Sequence, residues 1–259
     1  MSALDFLKVR LRQGTRTAPF PPEAGVLPER FRGRPVFDAG KCTDGCRDCV
    51  ARVPSGVMRV SASGSIEVDV GASLFSPDEA AACPAGALGF SSDYRTASIT
   101  RDGLVSPTGT VALAAALDAA SRRLFGRALR LRQVSAGGCN GCEAELVALG
   151  NVVFDLARFG VQFVASPRHA DGLVITGTVN ANMVGALRDA WEATPEPRIV
   201  VAVGACAING GPFRGSTEAG TGVPADIPVD LWVPGCPPHP LTVMDGLLRL
   251  LGRVEAGQR

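Results

Sequence analysis

Lysine is nearly missing from this chain. Of its 26 basic residues only Lys8 and Lys41 are lysines, and there are just two histidines and one tyrosine. Basic and acidic residues balance at 26 against 25, a net charge of +1, so no excess of positive charge argues for nucleic acid. Long apolar runs are absent too. Runs such as Ile199 to Val203 fall far short of the ~18 residues that a membrane-spanning helix needs. Met1 to Arg16 carry charges where a secretory signal has its apolar core. Charged residues make up 20 % and apolar residues 46 %, which argues against disorder and permits a sizeable core in one or two domains. These absences predict a chain that is soluble by itself and at home in a reducing cytoplasm.

What the chain does have is eight cysteines in two sets of four. The first is Cys42, Cys46, Cys49 and Cys83, with Pro84 behind the last. The second is Cys139, Cys142, Cys206 and Cys236, with Pro237 behind the last. Thiolates are soft ligands that suit iron–sulfur clusters or zinc, and four of them is the ligand count of one [4Fe–4S] cluster. The simplest reading is two such clusters passing electrons between them. Disulfides would also use an even count, but they dominate small secreted domains. Two zinc sites, each held by four cysteines, are the stronger rival. Zinc ribbons usually show two C-x2-C pairs set a short way apart; here a compact group is followed by distant single cysteines.

The chain divides into an arm (1–35), a first unit (36–100), a connector helix (101–127) and a second unit (128–259). Pro19, Pro21, Pro22 and Pro28 break any helix beyond the first dozen residues of the arm. In the first unit, Val57 to Val60 and Ile66 to Val70 read as a hairpin around Ser63-Gly64. Pro77 to Ala82 reads as a helix with Ser76 as N-cap and Glu79 in capping-box position. Ser106-Pro107 starts a predicted helix that ends at Gly126. The second unit alternates strands (129–134, 161–165, 172–176, 199–204, 230–233) with helices (143–159, 181–193, 241–251). That alternation predicts an α/β fold with a doubly wound, mostly parallel sheet, preceded by a small α+β unit. Ligands of such sheets sit outside the carboxyl ends of strands, and the second cysteine set falls just after predicted strand ends.

The run Lys41-Cys42-Thr43-Asp44-Gly45-Cys46-Arg47-Asp48-Cys49, with Ala82-Cys83-Pro84, resembles bacterial ferredoxins. Their Cys-Pro cysteine binds the cluster of a distant triplet. Val53 stands where a two-cluster ferredoxin has a further cysteine, and a residue is inserted between Cys42 and Cys46. The resemblance implies one ferredoxin-like cluster, with Phe31-Arg32-Gly33-Arg34-Pro35 similar to the lead-in of ferredoxin-like subunits of complex I and its hydrogenase relatives.

Farther on stand Gly137-Gly138-Cys139-Asn140-Gly141-Cys142-Glu143-Ala144-Glu145, Gly204-Ala205-Cys206 and Pro234-Gly235-Cys236-Pro237-Pro238. With Ser166-Pro167-Arg168-His169-Ala170-Asp171, they resemble the superfamily of the 20-kilodalton B subunit of complex I and the small subunits of [NiFe] hydrogenases. Complex I subunits have adjacent cysteines at the first pair. Cys139-Asn140-Gly141-Cys142 resembles the membrane-bound, energy-converting hydrogenases of the formate hydrogenlyase type. The resemblance implies an electron-transfer subunit, cytoplasmic and held at the membrane by partner subunits. It would exchange electrons with the Ni–Fe site of a hydrogenase large subunit, where H2 forms or is oxidised, or, as the alternative, with quinone through a complex I counterpart. Glu145 matches the family's C-x-G-C-x-x-E, which implies a proton or interface role; a plain helix-dipole carboxylate is the equal alternative. Glu143 is expected to serve only the dipole, His239 to tune a cluster or sit in a surface loop, His169 to be structural, and Asn209-Gly210-Gly211 to be a turn.

Overall fold

The computed structural model describes residues 3–23, 27–43, 46–53 and 55–254. Asp44, Gly45 and Pro54 of the first cysteine segment lie outside the described residues. Helix α1 (Ala3–Gln13) ends before the prolines of the arm. A strap follows: the Ala18 N–H donates to the Val153 carbonyl, Arg158 donates to the Ala18 carbonyl, and Phe20 meets Phe159 edge-on.

The antiparallel strands lie in the first 106 residues. Strand β1 (Pro35–Phe37) is followed by helix α2 (Asp48–Arg52), strands β2 (Met58–Val60) and β3 (Ile66–Asp69), helix α3 (Pro77–Ala81), and strands β4 (Leu88–Phe90) and β5 (Val105–Ser106). β1 pairs with β4, and β2, β3 and β5 form a second sheet in that order. The expected hairpin is present, with Val60 opposite Ile66. Ser76 caps α3 by accepting from the Asp78 N–H. Glu79 departs from the capping box. It is buried, and accepts from the Ser55 and Ser73 hydroxyls at 3.0 and 2.6 Å and from the Leu74 N–H at 2.7 Å. It closes the 73–75 loop instead of the helix start.

The connector is not the long helix that its apolar spacing predicts. Residues 107–118 are a turn and a non-helical stretch, and only α4 (Ala119–Phe125) is helical. Asp118 starts it, accepting from the N–H groups of Ala120 and Ser121. This stretch is held by longer-range bonds: Ala112 N–H to Gly103, Ala114 N–H to Ala97 and Leu117 N–H to Leu250 carbonyls. Val111 and Ala114 are buried, and Leu117 packs on the core. A three-residue spacing buries such a ribbon as well as it buries a helix face.

The second unit carries β6 (Leu129–Ser135), α5 (Gly141–Ala148), β7 (Val161–Phe163), β8 (Gly172–Thr176), α6 (Val184–Ala193), β9 (Ile199–Val203), α7 (Ala205–Asn209), β10 (Leu231–Val233) and α8 (Pro240–Leu250). Five strands pair in the order β10-β9-β8-β6-β7, every pair parallel. This is the expected α/β sheet. Alternate residues enter opposite cores: Val201, Val203 and Val174 join α8's Leu247 and Leu248, while Val200, Leu173 and Ile175 join Leu187 of α6. The predicted helix over 143–159 is cut short. Asn151 accepts from the N–H groups of Val153 and Phe154, and Asp155 turns left-handed at φ 44°, leaving a single 3-10 turn at Leu156–Phe159. The helix predicted from 181 begins at Val184, after Asn180 accepts from the Met183 N–H.

Candidate metal centres

All of the second cysteine set lies where strands end. Cys139 and Cys142 follow β6, Cys206 follows β9 and Cys236 follows β10. Because the strands are parallel, their carboxyl ends share one rim. The exits of β9 and β10 are laced together, Gly204 N–H to the Val233 carbonyl at 2.9 Å and Ala205 N–H to the Gly235 carbonyl at 2.8 Å. Cys206 lies at the start of α7 and Cys142 at the start of α5; neither helix start has a side-chain cap. The positive ends of helices favour thiolates.

The four thiols ring one cavity of about 70 Å3, closed by Gly138, Gly141, Gly177, Ala205 and Pro237. Glycine is required at its edge. Gly204 stands at φ +92°, and a Cβ there would come within 2.5 Å of the Cys142 sulfur. Burial pushes the Cys142 thiol well up, and the charges of Glu143, Cys206, Cys236 and Cys139 add to the shift. Cys206 is pushed up to about 11 by burial and then by Cys236, Cys139 and Glu143. Cys236 rises through burial first. Four thiols that repel one another once ionised are a poor arrangement alone and a good one around a cationic metal group, which favours the thiolates. Among the described residues no group of three or more His, Cys, Asp or Glu is placed to hold a metal ion. The thiols surround a cavity, and their donor set fits an iron–sulfur cluster.

The first set is assembled from three places. Cys42 closes the 3-10 turn Ala39–Lys41, Cys49 lies in α2, and Cys83 follows α3. The Ala87 N–H donates to the Cys83 sulfur at 3.3 Å. Cys49 is buried, with Cys42 and Cys83 packed against the same core. Burial raises its thiol, and charges on Cys83, Cys42 and Cys46 raise it further. The charges that reach Cys49 are those of its own set, and the cysteine charges that reach Cys142 are those of the other.

Two carboxylates sit near the second set. Glu145 does not enter the thiol cavity. It faces a neighbouring space of about 480 Å3, shared with Cys236, Tyr94, His239 and Phe31, where burial raises its carboxyl. Glu143, expected to serve only the dipole, lines the thiol cavity itself and is buried. It accepts from the Ser135 and Thr176 hydroxyls, each at 2.6 Å. Nothing local in the sequence marks it, because both hydroxyls come from strand ends outside its own helix. His239 is the N-cap of α8, its Nδ1 accepting from the Leu241 N–H at 3.2 Å between the rings of Phe31 and Phe154. It is not a loose surface histidine, and burial lowers its pKa. His169 ends an exposed 3-10 turn, and Asn209 accepts from the Gly211 N–H within the expected turn.

Residues 139–250 match the family described as NADH ubiquinone oxidoreductase, 20 Kd subunit. Formate hydrogenlyase subunit 7 of Escherichia coli is 39 % identical over 54 % of this chain and 55 % of that protein, so the match spans little more than half of either. The probable membrane-bound hydrogenase subunit mbhJ of Pyrococcus furiosus is 39 % identical over 51 % of this chain and 79 % of its own. An NADH-quinone oxidoreductase subunit of Heliobacterium modesticaldum is 43 % identical over 46 % of this chain and 69 % of its own.

Proposed function

This chain belongs to the family of the 20 kDa subunit of NADH ubiquinone oxidoreductase, and on that premise we propose that it relays electrons within a multi-subunit oxidoreductase complex. Cys42, Cys46, Cys49 and Cys83 hold one [4Fe–4S] cluster; Cys139, Cys142, Cys206 and Cys236 hold a second. The observation that carries the reading is the ring of four thiols around one cavity at the carboxyl rim of a parallel sheet. When bound, each cluster supplies a one-electron couple whose potential is set by nearby charge, hydrogen bonds and burial. The chain's own residues set those terms. Ala87 directs its N–H at the Cys83 sulfur, α5 and α7 direct uncapped helix starts at the rim, and Gly204 leaves room for Cys142.

The spacing Cys139-Asn140-Gly141-Cys142 supports a hydrogenase partner, whose large subunit carries the Ni–Fe site at which H2 is formed or consumed. The second reading, electron delivery to quinone through a complex I counterpart, is favoured by the likeness to the Heliobacterium subunit. Among the described residues no helix is long and apolar enough to cross a membrane. In this reading, attachment on the cytoplasmic side runs through partner subunits. Anaerobic affinity purification from the native cells tests the assignment. About eight iron atoms per chain and a nickel-bearing partner are expected. About four irons, or stoichiometric zinc, overturns the two clusters; a partner without nickel moves the assignment to quinone.

A further inference from the structure

Among the described residues Glu143 is the one carboxylate that lines the thiol cavity, and its surroundings are built to fix it. Ser135 and Thr176 are the last residues of β6 and β8 and are register partners across that parallel pair. The sheet therefore delivers two hydroxyls side by side at its rim. Both donate to the same Glu143 oxygen at 2.6 Å. That oxygen also lies 3.2 Å from where a Cβ on Gly138 would stand, so the carboxylate is pressed against the backbone leading to Cys139. Four cysteines complete the proposed ligand count without Glu143. Two hydroxyls donating to Oε1 favour the ionised carboxylate. What it brings to the cavity is fixed negative charge.

We propose that Glu143 is a tuning residue: held by Ser135 and Thr176, it places a permanent negative charge beside the second cluster and lowers that cluster's reduction potential relative to the first. The inference rests on the two-cluster reading above. The physical ground is Coulombic: an added electron is disfavoured next to a charge of the same sign, most strongly where water is excluded. That Glu143's charge is felt at both Cys142 and Cys206 agrees with this placement. The effect is local. The charges raising Cys49 come from its own cysteines.

The test is an EPR-monitored redox titration of the full, anaerobically purified chain carrying Glu143→Gln, which keeps the shape and removes the charge. The expected result is a positive shift in the midpoint of the second cluster, an unchanged first cluster, and iron content equal to that of the natural chain. Glu143→Asp keeps the charge and is expected to restore the midpoint toward the natural value. Glu143→Ala, also neutral, is expected to repeat the positive shift where Gln packs badly. An unshifted second midpoint with both clusters in place overturns the inference alone. Loss of the second cluster in both neutral variants also overturns it, since the residue is then a structural clamp. A natural chain without iron overturns the cluster reading and this inference together.

Discussion

Glu143 and Glu145 stand two positions apart on α5, yet they face different cavities. Residues two apart on a helix point to nearly opposite sides, so one enters the thiol cavity and the other the larger space beside Cys236. The motif C-x-x-E made Glu145 visible in the sequence. Glu143 had no such signal, because what fixes it comes from Ser135 and Thr176 through strand pairing. Glu79 was misread for the same reason: its partners Ser55 and Ser73 lie on other segments. If Glu145 carries protons for the complex, Glu145→Gln lowers H2 turnover by about a hundredfold, the ordinary scale of a lost acid–base group. Iron content stays unchanged because Glu145 lies outside the thiol ring. Unchanged turnover in the purified complex would leave Glu145 as a dipole carboxylate.

Among the elements, the parallel strands were readable because they are short β-branched runs bounded by glycine and polar turns. β8 and β9 are buried along their whole length, which is why they show no alternation of apolar and polar residues. The two misread helices share a cause. Val111 and Ala114 in 106–126 and Leu156 in 143–159 are buried, but by a non-helical ribbon and a capped loop whose hydrogen bonds reach distant segments, while Leu124, Val147 and Val152 stay exposed. The exit of β9 makes a sharper demand. Gly204→Ala forces a Cβ against the Cys142 sulfur in left-handed backbone. Strain of about 1–2 kcal/mol is expected, with a lowered Tm. Iron analysis should find about four irons fewer, with the first cluster's EPR signal kept. A variant with full iron content would show that the rim can shift to accept the side chain.

At the scale of the whole molecule, the two thiol sets behave as separate groups joined by a common interior. Cys83 is remote in sequence from Cys49, but its charge is the largest neighbouring contribution at that thiol after burial. Cys83→Ser is therefore expected to damage the first cluster's EPR signal and spare the second's. Loss of the second signal with the first retained would show the grouping to be wrong. The cysteine pattern made the sets readable, since repeated Cys-Pro closes each. The packing between them was not readable, because no local spacing reports which loop of one unit touches the other.

Ile208 supplies that packing. It lies two positions beyond Cys206, yet its side chain belongs to the buried core that also contains Cys49. A Cβ on Gly71 would come within 2.9 Å of it, so the 70–72 turn and α7 are in close contact. The proposed clusters are thus joined through packed side chains of α7 and the 70–72 turn. Electron tunnelling falls off steeply with distance, so a gap fixed by interlocked side chains gives the hop a constant length. The transfer then resembles conduction across a junction more than a diffusive encounter, and solvent viscosity should leave its rate untouched.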